Sequence, residues 1–253
     1  MAKKKNITQN EDVKELLREP SGFEKIKFKL KCKNQKQKEY SNSIKNNQIT
    51  ISCGCAGVGK SYVALGTALE LLKNPETPYK RLVIMVSPVQ VESQSVGYLK
   101  GDLQDKLYNF STTYLSSLAD MIGNGNYIKG METVKKLQEE GFIEVMTVSF
   151  ARGINLQNCI CICSECQQYE KAPFLTLLTR PTETCKMIFE GDLDQTDNKN
   201  IRRGREKSGL QHAKDVLSGV PGIGIIEFTK EEIVRNPLIT QILELWDPEV
   251  YGG

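Results

Sequence analysis

The run Gly54-Cys55-Ala56-Gly57-Val58-Gly59-Lys60-Ser61 limits the folding of this chain more than any other stretch. A glycine, four residues and then Gly-Lys-Ser let the backbone curl until successive N–H groups point into one small concavity. The flanks agree with that geometry. Ile49-Thr50-Ile51-Ser52-Cys53 reads as a short strand, and 62–73 reads as a helix with Leu65, Ala68, Leu69 and Leu72 on one face. A strand that feeds a glycine loop opening a helix is a phosphate site, because the inward N–H groups and the positive end of the helix both favour an anion. In such a loop Lys60 reaches the β- and γ-phosphates of a nucleoside triphosphate, and Ser61 offers its hydroxyl to Mg²⁺. A chance glycine-rich turn is the alternative, and two correct flanks argue against it.

Further strand-like segments follow at 81–86, 143–148, 159–163, 186–190 and 223–228, with helical patterns at 109–121, 127–139 and 209–217. That alternation predicts an α/β fold, a parallel sheet with helices on both faces. Its ligand belongs at the carboxyl ends of the strands. We divide the chain into an N-terminal part, 1–33, and one domain over 34–253. Within the first part, Thr8-Gln9-Asn10-Glu11 ahead of Val13, Leu16 and Leu17 is a capping-box pattern opening a short helix. Charged residues make up 26% and hydrophobic ones 39%, ordinary for a globular chain, and no apolar run is long enough to span a bilayer. Lys3, Lys4 and Lys5 are followed by no apolar core, so they do not open a secretory signal, and a cytoplasmic protein is expected.

Eight cysteines beside a phosphate loop are expected to be reduced thiols. Cys159-Ile160-Cys161-Ile162-Cys163 reads as a strand buried on both faces, with cysteine acting as a small apolar residue. Cys163 and Cys166 have the spacing of half a zinc site, but no second half accompanies them. From Lys25 to Lys33 lysine occupies every odd position and an apolar residue every even one, the pattern of a strand with one charged face. Two readings stand: an edge strand protected by its lysines, or a basic ridge following a nucleic acid backbone.

From about residue 37 to 246 the order of motifs resembles the PhoH family of P-loop ATPases, relatives of the first motor domain of superfamily one helicases. The series comprises the phosphate loop, Ser87-Pro88, the stretch from Gly97 to Gln104, Arg152-Gly153, Glu165 with Gln167, Leu178-Thr179-Arg180, Gly191-Asp192 with Gln195 and Asp197, Lys207-Ser208-Gly209-Leu210 and Val234-Arg235-Asn236-Pro237-Leu238. Gln37 and Tyr40 stand where the family has its glutamine motif, so the resemblance implies that Gln37 contacts adenine. It further implies a RecA-like fold, with ATP and Mg²⁺ as cofactors. Glu165 would polarise the attacking water, Gln195 would sense the γ-phosphate, and Arg235 or Arg180 would stabilise transition-state charge. For the two arginines a surface ion pair is the plainer reading. The implied partners are single-stranded nucleic acid, RNA ahead of DNA, and further copies of the chain in a homo-oligomer, with a ring as one form.

Departures from the family pattern bear on catalysis. Ser164-Glu165 replaces the Asp-Glu that ends the second nucleotide motif, so a carboxylate that helps hold Mg²⁺ is missing unless Asp192 or Asp194 compensates. Ser87 stands in place of an arginine, and Val91 and Gln94 in place of two glutamates. The leading expectation is an ATPase coupled to single-stranded RNA or DNA. The alternative is a nucleotide-gated module that binds nucleic acid or forms an oligomer with little hydrolysis. A small-molecule kinase ranks below both, since Arg202-Arg203-Gly204-Arg205 is the one cluster that resembles a lid. Net charge is only +3, but lysine and arginine concentrate at the N-terminus, at 25–33 and at 199–207. Such patches give salt-dependent binding with little sequence preference.

Overall fold

A computed structural model describes residues 22–86, 103–151, 153–196 and 198–234, together with Leu245. The predicted helix near the N-terminus, Ser87 and Pro88, Val91 and Gln94, Arg152, Asp197, Arg235 and Trp246 lie outside the described residues.

Six parallel strands form one sheet in the order β3-β2-β4-β5-β1-β6. They are β1 (Ile49–Cys53), β2 (Arg81–Val86), β3 (Ile143–Thr147), β4 (Cys159–Cys163), β5 (Cys185–Gly191) and β6 (Ile223–Glu227). β4 is buried throughout. Ile160 and Ile162 join the core on one face, while Cys159, Cys161 and Cys163 join the core on the other. A sheet buried on both faces selects such apolar runs in place of alternating ones. All eight cysteines are free thiols, and Cys166 Sγ donates to Cys163 O at 3.2 Å within the core.

The first face is covered by α1 (Gln35–Asn46), α2 (Lys60–Lys73), α3 (Leu103–Gly123) and α4 (Tyr127–Glu139). The second is covered by the one-turn helix Val148–Ala151, α5 (Lys171–Leu178) and α6 (Gly209–Leu217). On this second face Phe174 of α5 packs on Phe189 of β5 with ring centroids 4.9 Å apart. α1 was not predicted from the sequence. Its buried stripe is Gln37, Tyr40, Ser41 and Ile44, half of it polar, so the apolar period that marks a helix is missing. The Asn34 side chain caps it by accepting from Gln37 N.

The lysine-rich segment corrects the sequence reading. Its burial alternates as expected, with Lys25, Lys27, Lys29, Lys31 and Lys33 exposed and Ile26 buried, but among the described residues it pairs with no strand. It lies against α2: Leu30 N donates to Glu70 Oε1 at 2.9 Å, and Lys73 Nζ donates to Phe28 O at 2.7 Å. Helix side chains take the place of a neighbouring strand, so an alternating pattern satisfies its backbone without joining the sheet. Phe23 and Ile26 are buried in the same core as α2.

Candidate nucleotide site

The phosphate loop leaves β1 at Cys53 and enters α2 at Lys60. Gly59 sits at φ 85°, and a Cβ there would fall 2.7 Å from Gln37 Nε2, so both backbone and space call for glycine. Lys60 Nζ donates to the carbonyls of Gly54 and Cys55, the second at 3.0 Å, which holds the cation at the centre of the loop. A cavity of about 600 Å³ opens here, lined by Ala56, Gly57, Gly59, Lys60 and Ser61. Of the anticipated residues, Glu165, Gln195 and Gln37 also reach its wall. Lys31, Lys33, Tyr62, Tyr114, Glu190, Asp192 and Val234 complete much of it.

β4, β5 and β1 are adjacent in that order, so the ends of three strands converge on one cavity. Glu165 follows β4 in a left-handed conformation, φ 50° and ψ 43°. For a side chain with a Cβ this conformation costs about 1–3 kcal/mol and persists where surrounding contacts enforce it. Gln167 supplies one such contact: its Nε2 donates to Glu165 Oε2 at 2.7 Å, and its Oε1 accepts from Asp192 N at 3.1 Å. One amide therefore ties the residues after β4 to those after β5.

Gln37 is placed differently from a residue that reads only the base. Its Nε2 donates to Val58 O at 2.9 Å, and its Oε1 accepts from Lys33 N at 2.8 Å. It clamps the phosphate loop to the lysine segment while still lining the cavity. Val234 N donates to Gly57 O at 3.1 Å, so the chain that leads into Arg235 is docked on the loop. Arg180 stands apart: it lies between α5 and the amino end of β5, whereas the cavity is at the carboxyl end, and it does not line the cavity. Ser164 does not line it either, because its hydroxyl donates to Met85 O at 3.3 Å.

The largest feature missed by sequence reading is a buried carboxylate. Glu190, at the end of β5, accepts from Tyr40 OH on Oε1 and from Tyr114 OH on Oε2, both at 2.9 Å. Ser52 Oγ donates to Tyr40 OH at 3.1 Å, and Tyr114 OH lies 3.3 Å from Ser61 Oγ. Burial raises the Glu190 carboxyl above the usual range, opposed by the Tyr114 hydrogen bond and the Lys60 charge. Burial likewise raises the Asp192 carboxyl, opposed by its hydrogen bond from the Asp194 backbone and by Lys60. A hydrogen bond to a charged group contributes about 1.5–3 kcal/mol, so the two tyrosines matter to the stability of this wall.

The donor set fits Mg²⁺. Hard oxygen ligands suit that ion, and Ser61 and Asp192 both line the cavity. Asp192 is 7% exposed, and its Oδ2 is buried with no hydrogen-bond partner among the described residues.

A parallel sheet with helices on both faces and a glycine loop, lysine and serine at the carboxyl end of β1 define a P-loop nucleotide-binding domain. The family profile described as PhoH-like protein matches residues 29–247, and the chain belongs to that family. It is 33% identical over 220 residues to the PhoH-like protein of Bacillus subtilis, covering 87% of this chain and 65% of that one. The PhoH-like protein of Synechocystis is 32% identical over 218 residues, 86% of this chain and 62% of its own length. Protein PhoH of Escherichia coli K12 is 27% identical over 215 residues, 85% and 57% of the two lengths. The chain thus spans less than two thirds of these relatives. Among solved structures, Bacteroides sp Pif1 in complex with ADP-AlF4 overlaps 83% of this chain and 45% of its own at 12% identity. Its TM-score is 0.38, too low to bear on the site. No helix among the described residues is long and apolar enough to cross a membrane.

Proposed function

We propose that this chain binds ATP with Mg²⁺ and hydrolyses it, with turnover coupled to single-stranded nucleic acid, RNA ahead of DNA. The observation that carries the reading is the convergence of Lys60, Ser61, Glu165 and Gln195 on one cavity at the ends of β1, β4 and β5. Phosphoryl transfer depends on positioned cations and a water-orienting acceptor more than on covalent chemistry. Lys60 meets the β- and γ-phosphates, and Ser61 with Asp192 offers oxygens to Mg²⁺, which would neutralise charge on the phosphates. Glu165, oriented by Gln167, is the acceptor for the attacking water. Gln195, hydrogen-bonded through its N–H to Asp192 O, is placed to follow the γ-phosphate.

An arginine completes such a site, from the same chain or from a neighbour. Arg180, at the opposite end of the sheet, serves only the nucleotide of another copy, whereas Arg235 follows directly on a residue bonded to the loop. Assignment to Arg180 calls for a homo-oligomer, with a ring as the closed form, whereas Arg235 serves the nucleotide of its own chain or of a neighbour. Arg202, Arg203, Arg205 and Lys207 are exposed and follow β5 at the carboxyl edge, suited to a phosphate backbone or to a neighbour.

Ser164 favours a second reading, a nucleotide-gated module with little turnover, because its hydroxyl is committed to Met85 O and brings no charge to the cavity. Steady-state ATP hydrolysis with and without single-stranded RNA separates the two. The ATPase reading expects turnover raised by RNA and lost in both Lys60→Ala and Glu165→Gln. Removal of a charge stabiliser of this kind costs on the order of 10²–10³ in rate. Tight nucleotide binding with wild-type turnover no higher than in Lys60→Ala would establish the gated module.

A further inference from the structure

Ser164 leaves the site one carboxylate short, and the structure holds a carboxylate that neither the phosphate loop nor Glu165 accounts for. Cys163 of β4 is in register with Phe189 of β5, and Glu190 is in register with Ser52 of β1. Extending the β4–β5 register by one residue sets Ser164 level with Glu190. Residues level in neighbouring parallel strands share a face, since side chains alternate along each strand. The acid missing after β4 is therefore matched by an acid at the same level, one strand nearer the phosphate loop.

Glu190 is aimed by two helices. Tyr40 of α1 and Tyr114 of α3 hold one oxygen each, and Tyr114 OH lies 3.3 Å from the Ser61 hydroxyl. The residue is 2% exposed and lines the cavity beside Lys60 and Ser61. Among the described residues its hydrogen-bond donors are neutral hydroxyls, and a buried carboxylate without a bonded cation is costly. Asp192 adds an independent sign: it is 7% exposed, stands on the same wall, and has a buried Oδ2 with no hydrogen-bond partner among the described residues. Two under-compensated carboxylates beside the loop serine suit a divalent cation.

We propose that Glu190, beside Ser61, supplies the carboxylate facing the divalent cation that travels with the nucleotide, in place of the acid absent at Ser164. This rests on the reading of the cavity as a nucleotide site. Tyr40 and Tyr114 are positioning residues for it. The competing role for Glu190 is purely structural, a buried link between α1 and α3.

The test is equilibrium binding of N-methylanthraniloyl-ADP to the full chain, titrated with Mg²⁺ and repeated in EDTA. Glu190→Gln is expected to raise the Mg²⁺ concentration needed for tight binding by about 10- to 100-fold, as loss of metal-site groups commonly does. Affinity in EDTA stays at the wild-type value, and adding Ser164→Asp to Glu190→Gln restores the Mg²⁺ response. A folded Glu190→Gln protein with an unchanged Mg²⁺ requirement overturns the proposal and leaves the structural link. If Glu190→Gln does not fold, Glu190→Asp keeps the charge but draws it back, and a wild-type Mg²⁺ requirement there overturns the proposal equally. Wild-type protein that binds the probe no better than Lys60→Ala overturns the nucleotide reading itself, and the proposal with it.

Discussion

Lys186 is a buried lysine whose hydrogen bonds go to main chain. Its Nζ donates to the carbonyls of Lys45 and Asn47 at the carboxyl end of α1, where a cation meets the negative end of the helix. It also lies 5.8 Å from the centroid of the Tyr79 ring. Burial pushes its ammonium from 10.5 down to about 8. Between those values the unfolded chain holds this proton more tightly than the folded one, so stability rises with pH across the window. Below it the full cost of the buried charge is present. Urea unfolding at a series of pH values should show that Lys186→Met flattens this rise, with the wild type gaining on the variant as pH increases from about 8 towards 10. An identical slope in both proteins would mean that Lys186 keeps an ordinary proton affinity in the fold.

α3 and α4 approach so closely that a side chain has no room at Gly130. A Cβ there would fall 1.9 Å from Ala119 O, which is main chain and cannot swing aside. Gly130→Ala should therefore destabilise the domain by about 1–3 kcal/mol despite the better helix propensity of alanine, measured as a lower urea midpoint. A neutral result would show that the two helices slide apart freely. The strands at 49–53, 81–86 and 159–163 and the helices at 127–139 and 209–217 were legible to the residue, because each carries an apolar period bounded by turn residues. α1 was not legible, since polar Gln37 and Ser41 share its buried stripe, and their partners lie in the phosphate loop and α2. The segment over 25–33 misled for the complementary reason. Alternation reports which side chains are buried, and it says nothing about whether the backbone partner is a strand or the side chains of a helix.

At the scale of the whole molecule, the lysine segment runs from the surface to the cavity. Lys25, Lys27 and Lys29 are exposed, while Lys31 and Lys33 line the cavity wall. If this ridge follows a single strand, replacing Lys25, Lys27 and Lys29 with glutamine should lower the slope of log affinity against log salt by about 2, at about 0.7 per phosphate contact. Filter binding of single-stranded RNA measures it, and an unchanged slope would place the nucleic acid elsewhere. The sequence by itself determined the phosphate loop, the α/β class and the parallel sheet, and the order of its short motifs singled out Glu165 and Gln195, which line the cavity. Only the tertiary structure decided that Gln37 clamps the loop, that Arg180 lies at the far end of the sheet, and that Glu190 stands beside Ser61. Tyr40 and Tyr114 meet Glu190 across 150 and 76 residues of chain, and no local pattern records such a meeting. Parallel strand order and helix packing create it, since they carry residues remote in sequence to the same end of one sheet.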